Sequence, residues 1–422
     1  MKLRDFILTC LVLLSPVAMT AQEFDQTRED SVMTDSLVLV HDMDSLLSAD
    51  NDLLEWPANI QERIGNLLHH DMFQTSQVGL MVYDLTADSV IFCHNERQLM
   101  RPASTMKMVT AVAAIDCLGS SYQLKTQLRY SGTVSDKTLV GNIYCIGGLD
   151  PRFNNDDMRA FVESLRKMEI DTIRGKIVAD VSMKDRDLLG EGWCWDDKNP
   201  VLSPLLVNRK DNFMETFISM LTNTGIYLDI TTDKGTAPHG TFELCTRTHT
   251  IDQILQRMMK KSDNLYAEAL FYQIAAQQGS RYATAKQAAA AIKRLINKIG
   301  LNASDYRIAD GSGLSLYNYL TPEVEVGLLK YAWNNEDIYY YLYNSMPIAG
   351  QDGTLQNRMR GTHAAGNVRA KTGTVTGVSS LAGYCTSANG HELCFAIINN
   401  GLLSTSKGRM FQDRVCQALC AP

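Results

Sequence analysis

The stretch Ser104-Thr-Met-Lys-Met-Val-Thr-Ala-Val-Ala-Ala-Ile115 decides how this chain reads. From Thr105 onward it is apolar and alanine-rich, which suits a buried helix. With Ser104 at the start of that helix, Lys107 lies one turn on and on the same face, so its amine can reach the serine hydroxyl. A serine hydroxyl is a weak nucleophile until a neighbouring base takes its proton. Lysine serves as that base only when neutral, whereas a free lysine titrates near about 10.4. Burial and a second cation nearby would lower that value. The N–H groups and positive dipole end at the helix start would also favour a developing oxyanion.

Two more motifs follow in order, Ser262-Asp-Asn264 and Lys371-Thr-Gly373. Ser-x-x-Lys, Ser-x-Asn and Lys-Thr-Gly together are the arrangement of serine acyl-transfer enzymes that use lysine as the base. Neither of the first two motifs is informative alone. Ser164-Leu-Arg-Lys167 and Ser404-Thr-Ser-Lys407 also match the first, and Ser387-Ala-Asn389 matches the second. Order and context select the set. Ser104 opens the apolar helix, Ser262 precedes a helical stretch over Leu265–Ala276, and Lys371 opens a run suited to an exposed strand beside a cleft. Lys371 is the natural second cation. Ser262 is placed to relay a proton toward a leaving amine, and Asn264 to hold Lys107 and a substrate amide.

Further stretches carry a resemblance along residues 75 to 415. They are Arg101-Pro-Ala-Ser-Thr-Met-Lys107, Gly147-Gly-Leu-Asp-Pro151, Asp310-Gly-Ser-Gly-Leu-Ser315, Pro347-Ile-Ala-Gly-Gln-Asp-Gly-Thr-Leu355 and Ala370-Lys-Thr-Gly-Thr374. On these the chain resembles the low-molecular-mass class C penicillin-binding proteins, D-alanyl-D-alanine carboxypeptidases and endopeptidases with a large insertion after the serine motif. The resemblance implies that Ser104 is acylated and that Lys107 accepts its proton. Ser262 and Asn264 would form the second wall of the cleft. Lys371, Thr372, Gly373 and Thr374 would bind the peptide's terminal carboxylate, with the N–H groups of Ser104 and Thr374 as the oxyanion hole. Peptidoglycan stem peptides are the implied substrates and β-lactams the implied covalent inhibitors. Leu149 stands where the family usually has a third glycine. Asp150 beside it is either a cleft residue that binds the amine of a diamino-acid side chain or a turn residue before Pro151. The alternatives in function are a β-lactamase, for which no Glu-x-x-Leu-Asn element is apparent, and a non-catalytic peptidoglycan- or β-lactam-binding sensor, which need not keep nucleophile and base together.

Spacing gives the domain plan. Ser104 and Ser262 are 158 residues apart, too far for one helical connection across a compact cleft. Leu124–Ile146 reads as strands with turns at Ser131-Gly132 and Gly141-Asn142. Asp156–Met168 reads as a helix, Gly175–Val181 as a strand, Asn208–Thr224 as containing a helix, and Thr231–Pro238 as turn-rich. Residues 122–248 are therefore expected to be an inserted accessory region that flanks the cleft. Residues 56–121 and 249–422 would form one transpeptidase-like domain of α/β (α+β) class, with an antiparallel sheet flanked by helices. Its elements would include a hairpin of Val78–Leu85 with Val90–His94, helices over Ala283–Gly300, Thr321–Asn334 and Lys407–Leu419, and a hairpin of Ser380–Ser387 with Glu392–Asn399.

Lys2 and Arg4 precede the apolar run Phe6–Met19, and small residues follow. Residues 1–21 thus read as a secretory signal peptide, with an uncleaved anchor as the other reading, and place the protein in the periplasm. Residues 22–55 hold ten Asp or Glu and one Arg, and read as an acidic linker. They account for the net charge of −7, because residues 1–21 carry +1 and residues 56–422 carry +1. A body so near neutral, without a basic stripe, gives no sign of nucleic-acid binding. No Cys/His spacing suits a metal site, and the chemistry calls for no cofactor. Nine of ten cysteines lie after the signal. With Asn389-Gly390 as a two-residue turn, Cys385 would face Cys394, as a disulfide or as two buried thiols.

Overall fold

The computed structural model describes residues 54–194, 199–277, 279 and 281–422. The signal segment and nearly all of the acidic tract lie outside them. Two five-stranded sheets organise the chain. The first joins strands from both ends of the sequence: β1 (Gln77–Asp84) and β2 (Ser89–His94) come before the nucleophile motif, while β8 (Arg369–Val375), β9 (Val378–Thr386) and β10 (Glu392–Asn400) come after it. It is antiparallel throughout, in the order β2-β1-β10-β9-β8.

Both faces of this sheet are covered. β9 and β10 are buried along nearly their whole length, as a strand between two helical layers must be. On one face lie α1 (Ala58–Leu67) and α10 (Thr405–Cys420), which pack Ile60, Ile64, Phe411 and Val415 against Leu381, Phe395 and Ile397. On the other lie α2 (Met106–Leu118), α5 (Ile251–Lys260), α6 (Asn264–Ala276), α7 (Ala285–Lys298), α8 (Pro322–Trp333) and α9 (Glu336–Ser345), in one core with Ala382, Tyr384 and Ala396. α2 and α6 are apolar all round and lie inside that core, the expected place for helices without a polar face. Sequence marks several ends: Thr321 caps α8 with Pro322 at its first position, and Thr284 caps α7 with Gln287 completing a capping box.

The second sheet lies wholly between Ser104 and Ser262. Its strands are β3 (Gln123–Ser135), β4 (Thr138–Ile146), β5 (Thr172–Asp180), β6 (Tyr227–Lys234) and β7 (Phe242–Thr250), ordered β6-β5-β4-β3-β7. The β4-β5 and β5-β6 pairs are parallel. Crossover helices α3 (Asn155–Lys167) and α4 (Phe213–Asn223) make that possible. They bury Phe161, Phe213 and Phe217 against Ile143, Ile173 and Ile177 in a separate core.

Local differences from the sequence reading have definite causes. Gly132 and Gly141 are not turns. They face each other inside the β3-β4 ladder, and Gly175 of β5 pairs beside Gly141. A Cβ on Gly141 would come 1.9 Å from the Ser131 carbonyl oxygen, so the glycines mark close backbone approach. The reversal is at Asp136-Lys137, both with positive φ as a type I′ turn requires. Residues 231–234, expected as turn, belong to β6. The Cys385–Cys394 pairing is also corrected. The loop between β9 and β10 has three residues, Ala388 to Gly390, and the Ser387 N–H donates to His391 O. Cys385 therefore pairs with Leu393 and Cys394 with Tyr384. One residue of register sends the two thiols to opposite faces, and both are free.

Candidate active site

Ser104 sits in a short 3-10 turn, Ala103–Thr105, that feeds directly into α2. Ala103 just before it has φ 49°, a costly value for a residue with a Cβ. Lys107, in the first turn of α2, is fully buried. Its Nζ lies 2.9 Å from Ser104 Oγ, 2.7 Å from Asn264 Oδ1 and 2.7 Å from the Ser312 carbonyl oxygen. An ammonium has three donors for these three acceptors. Once it loses a proton, two donors can stay on Asn264 and Ser312 while the lone pair faces the Ser104 hydroxyl, which then donates to it. Burial lowers Lys107 to about 8, although the charges of Asp310, Glu268 and Asp263 pull the other way.

Lys371 lies on β8, where the sequence reading expects an exposed strand, but it is also fully buried, and it donates to Ser262 Oγ at 2.8 Å and to the Thr372 carbonyl at 2.6 Å. Burial first, and then the charge of Lys107, hold its ammonium well below the usual lysine range. The sequence reading expects both burial and Lys371 to depress Lys107; burial does so, whereas between the two lysines it is Lys371 that is lowered by Lys107. Ser262 itself has φ 54°, a second strained residue at the same spot.

Three supports hold this cluster. Asp263, between the two motif residues, accepts from Arg257 Nε at 2.9 Å and from both terminal nitrogens of Arg209, an arginine that arrives from the inserted region. Burial opposes its charge, but the hydrogen bonds from Arg209 and Arg257 prevail and keep its carboxyl below the usual range. The loop bearing Ser312 is tied by Asp310, which accepts from the Gly313 and Ser315 N–H groups at 2.7 Å each and from Trp193 Nε1 at 2.8 Å. Glu268, one turn beyond Asn264 on α6, accepts from Gly311 N at 3.1 Å. Burial and the neighbouring Asp310 raise Glu268 to about 8. Finally, β8 passes against the Ser104 turn at Gly373. A Cβ there would stand 2.0 Å from Ser380 Oγ, 2.8 Å from Pro102 O and 3.0 Å from Ser104 N. Only glycine lets the strand that carries Thr374 lie so near the Ser104 N–H.

The structure thus brings Ser104, Lys107, Ser262, Asn264, Lys371, Thr372, Gly373 and Thr374 to one place. A cavity of about 310 Å³ opens on Ser104 and is lined by Ser262, Thr372, Thr374, Arg358 and Arg409. Another of about 390 Å³ lies beyond Ser262 and Asn264, between them and Arg209. Asp150 is not drawn into the cluster. It is buried, its Oδ1 accepts from Arg152 N at 3.0 Å, and its Oδ2 is 2.6 Å from His249 Nδ1. Leu149 beside it takes φ 48°, the conformation that a glycine adopts without cost. The sequence reading assigned no role to Asp310, Glu268, Arg209 or Trp193. The stretch Asp310-Gly-Ser-Gly-Leu-Ser315 is one of those that carry the resemblance, but only the fold shows that its Ser312 carbonyl meets Lys107.

A nucleophile, a buried base and a pinched strand of backbone N–H groups, mounted on an antiparallel sheet between helical layers, define a serine acyl-transfer enzyme. Residues 60–208 and 203–420 match the D-Ala-D-Ala carboxypeptidase 3 (S13) family, and the chain belongs to it. The chain is similar to D-alanyl-D-alanine carboxypeptidase DacB of Haemophilus influenzae, with 26% identity over 77% of this chain and 86% of that one. It is similar to the D-alanyl-D-alanine carboxypeptidase of Actinomadura sp. strain R39, with 25% identity over 81% of each. Among solved structures, penicillin binding protein 4 (dacB) from Haemophilus influenzae superposes with a TM-score of 0.76 at 24% identity, covering 84% of this chain and 98% of that one. The same protein complexed with a β-lactam gives a TM-score of 0.70 at 25% identity, covering 83% and 97%.

Proposed function

We propose that this chain is a serine D-Ala-D-Ala carboxypeptidase and endopeptidase of peptidoglycan that works through an acyl-enzyme on Ser104 and is acylated by β-lactams. The observation that carries this reading is the fully buried Lys107 amine, 2.9 Å from Ser104 Oγ and without a carboxylate among its hydrogen-bond partners.

Neutral Lys107 takes the hydroxyl proton as Ser104 Oγ attacks the carbonyl of the penultimate D-alanine. The Ser104 and Thr374 N–H groups receive the negative charge on the carbonyl oxygen. Ser262, hydrogen-bonded to Lys371, relays the proton that Lys107 took to the departing amine as the C–N bond breaks, so that D-alanine leaves and Lys107 is neutral again. Water, activated by the same lysine, then releases the shortened peptide. When the leaving amine belongs to the diamino acid of a neighbouring stem, the same steps cut a crosslink. Asn264 orients both Lys107 and the substrate amide. Thr372 and Thr374 bind the carboxylate next to the scissile bond, and the accessory region, residues 122–248, flanks the cleft and shapes substrate choice. A protein with this substrate works outside the cytoplasm, in the periplasm. No helix among the described residues is long and apolar enough to cross a membrane.

Mass spectrometry after incubation with penicillin, beside Ser104→Ala and with a D-alanine release assay, tests the reading. A stable adduct on Ser104 together with D-alanine release is expected. Fast penicillin turnover without peptide hydrolysis would make the protein a β-lactamase. An adduct without peptide turnover would make it a sensor, and no adduct would remove Ser104 from the nucleophile role.

A further inference from the structure

The cavity beside Ser104 carries more positive charge than its motifs supply. Thr372 and Thr374 line it from β8, and its two charged lining side chains are Arg358 and Arg409. No Asp or Glu lines it among the described residues.

The two arginines have different duties. Arg358 is mostly buried and fixed in place: its Nε and Nη2 donate to Asp413 Oδ1 at 2.9 and 2.7 Å, and Nη2 is also 3.2 Å from the Arg409 carbonyl oxygen. Its charge is thus matched by Asp413, and it anchors the backbone of Arg409. The helix holding Arg409 is itself seated close to Thr374. Gly408 packs so tightly that a Cβ would come 2.9 Å from the Ser379 Cβ. Gln412 Nε2 donates to Ser379 Oγ at 3.0 Å, and Ser379 is the ladder partner of Thr374. α10 therefore presents Arg409 at the end of the cavity where Thr374 stands.

A carboxylate there needs a lasting positive charge. Lys371 is a poor source, since it is directed to Ser262 and the Thr372 carbonyl, and burial with Lys107 nearby favours its neutral form. A guanidinium stays charged at any working pH and presents a planar fork that matches a carboxylate.

We propose that Arg409 is a specificity-determining residue that binds, with the Thr372 and Thr374 hydroxyls, the carboxylate of the leaving D-amino acid and the equivalent carboxylate of a β-lactam. This rests on the serine peptidase reading above. It makes the enzyme selective for scissile bonds with a free carboxylate on the leaving side, which both a terminal D-alanine and the D-centre of a crosslinking diamino acid provide.

The test uses the full chain and two substrates, an acylated peptide ending in D-Ala-D-Ala and its C-terminal carboxamide. Each is assayed with wild type, Arg409→Gln and Arg409→Lys, with melting temperature as a check on folding. Wild type should prefer the acid. Arg409→Gln should lower kcat/KM on the acid by roughly 30- to 100-fold, the size of a lost charge-assisted hydrogen bond, and leave the amide within about threefold. Arg409→Lys should recover part of the preference. An equal loss on both substrates, or no loss on the acid, would overturn the role of Arg409 while leaving the peptidase reading intact. A wild-type enzyme that cleaves neither substrate and forms no penicillin adduct would instead remove the reading on which the proposal stands.

Discussion

Two fully buried lysines, Lys107 and Lys184, have opposite surroundings, one suited to the proposed base and the other to a structural clip. Lys184 Nζ is 2.5 Å from Asp185 Oδ1, also donates to the Asp187 carbonyl, and lies 4.4 Å from the centre of the Tyr272 ring. Its head is thus held by an ion pair on one side and a cation–π contact on the other. Lys107 meets only a hydroxyl, an amide oxygen and a peptide carbonyl. Its burial is not answered by a contacting carboxylate, and it drops to about 8. The two acids whose charges act on it most, Asp310 and Glu268, accept from N–H groups of the 310–315 loop, so they position the lysine's acceptor without pairing with the lysine.

Exchanging the two lysines for neutral residues should separate these roles. Lys107→Ala should lower kcat/KM for D-alanine release by about 10⁴-fold, the upper range for loss of a general base, with a nearly unchanged melting temperature. Lys184→Met should leave the rate within a few-fold but cost about 3 kcal/mol of stability by leaving Asp185 without its partner. Steady-state kinetics and denaturant unfolding of the two variants check both halves. A catalytic loss in Lys184→Met as large as in Lys107→Ala would erase the distinction.

Positioning comes next in size. Gly373→Ala should lower the acylation rate by about 10²-fold, because the added methyl must push β8 away from Ser380 Oγ and the Ser104 turn. Stopped-flow acylation with a chromogenic β-lactam measures it, and a near-wild-type rate would mean that the pinch at Gly373 has no part in placing the oxyanion donors.

A third buried acid gives the smallest effect. Glu325 on α8 is wholly buried beside Thr105, and burial raises its carboxyl to about 8. The unfolded chain releases that proton above about 4.5 while the folded chain keeps it up to about 8, so Glu325 lowers stability as pH rises through that window. Glu325→Gln removes the penalty. Between about pH 6 and 7.5 wild type should lose about 2 kcal/mol that the variant retains, as read by urea unfolding at each pH. Parallel pH curves for the two proteins would show that Glu325 is ionised in the folded state.

Much of the site was legible because its chemistry is written in local patterns. Ser104 and Lys107 share one helical turn, and Asn264 opens a helix whose apolar run is visible in the sequence. The first sheet was legible through its hairpins. What stayed hidden depends on long-range pairing. β4, β5 and β6 pair in parallel, which no turn signal announces, and the three stacked glycines Gly132, Gly141 and Gly175 resemble turn residues until the ladder is seen. The three-residue loop before His391 reads like a two-residue one, and that single step misplaced Cys394. Arg209 and Trp193 reach the site from the inserted region across 54 and 117 residues, distances at which sequence carries no pairing signal.

In the proposed mechanism burial, without a contacting carboxylate, makes Lys107 the base. The most direct measurement is the second-order rate of Ser104 acylation by penicillin, followed by intact-protein mass spectrometry across pH. A tenfold rise per pH unit that levels off at about pH 8 is expected. A rate that is flat with pH, or one still rising toward the value of an ordinary lysine near about 10.4, would contradict it.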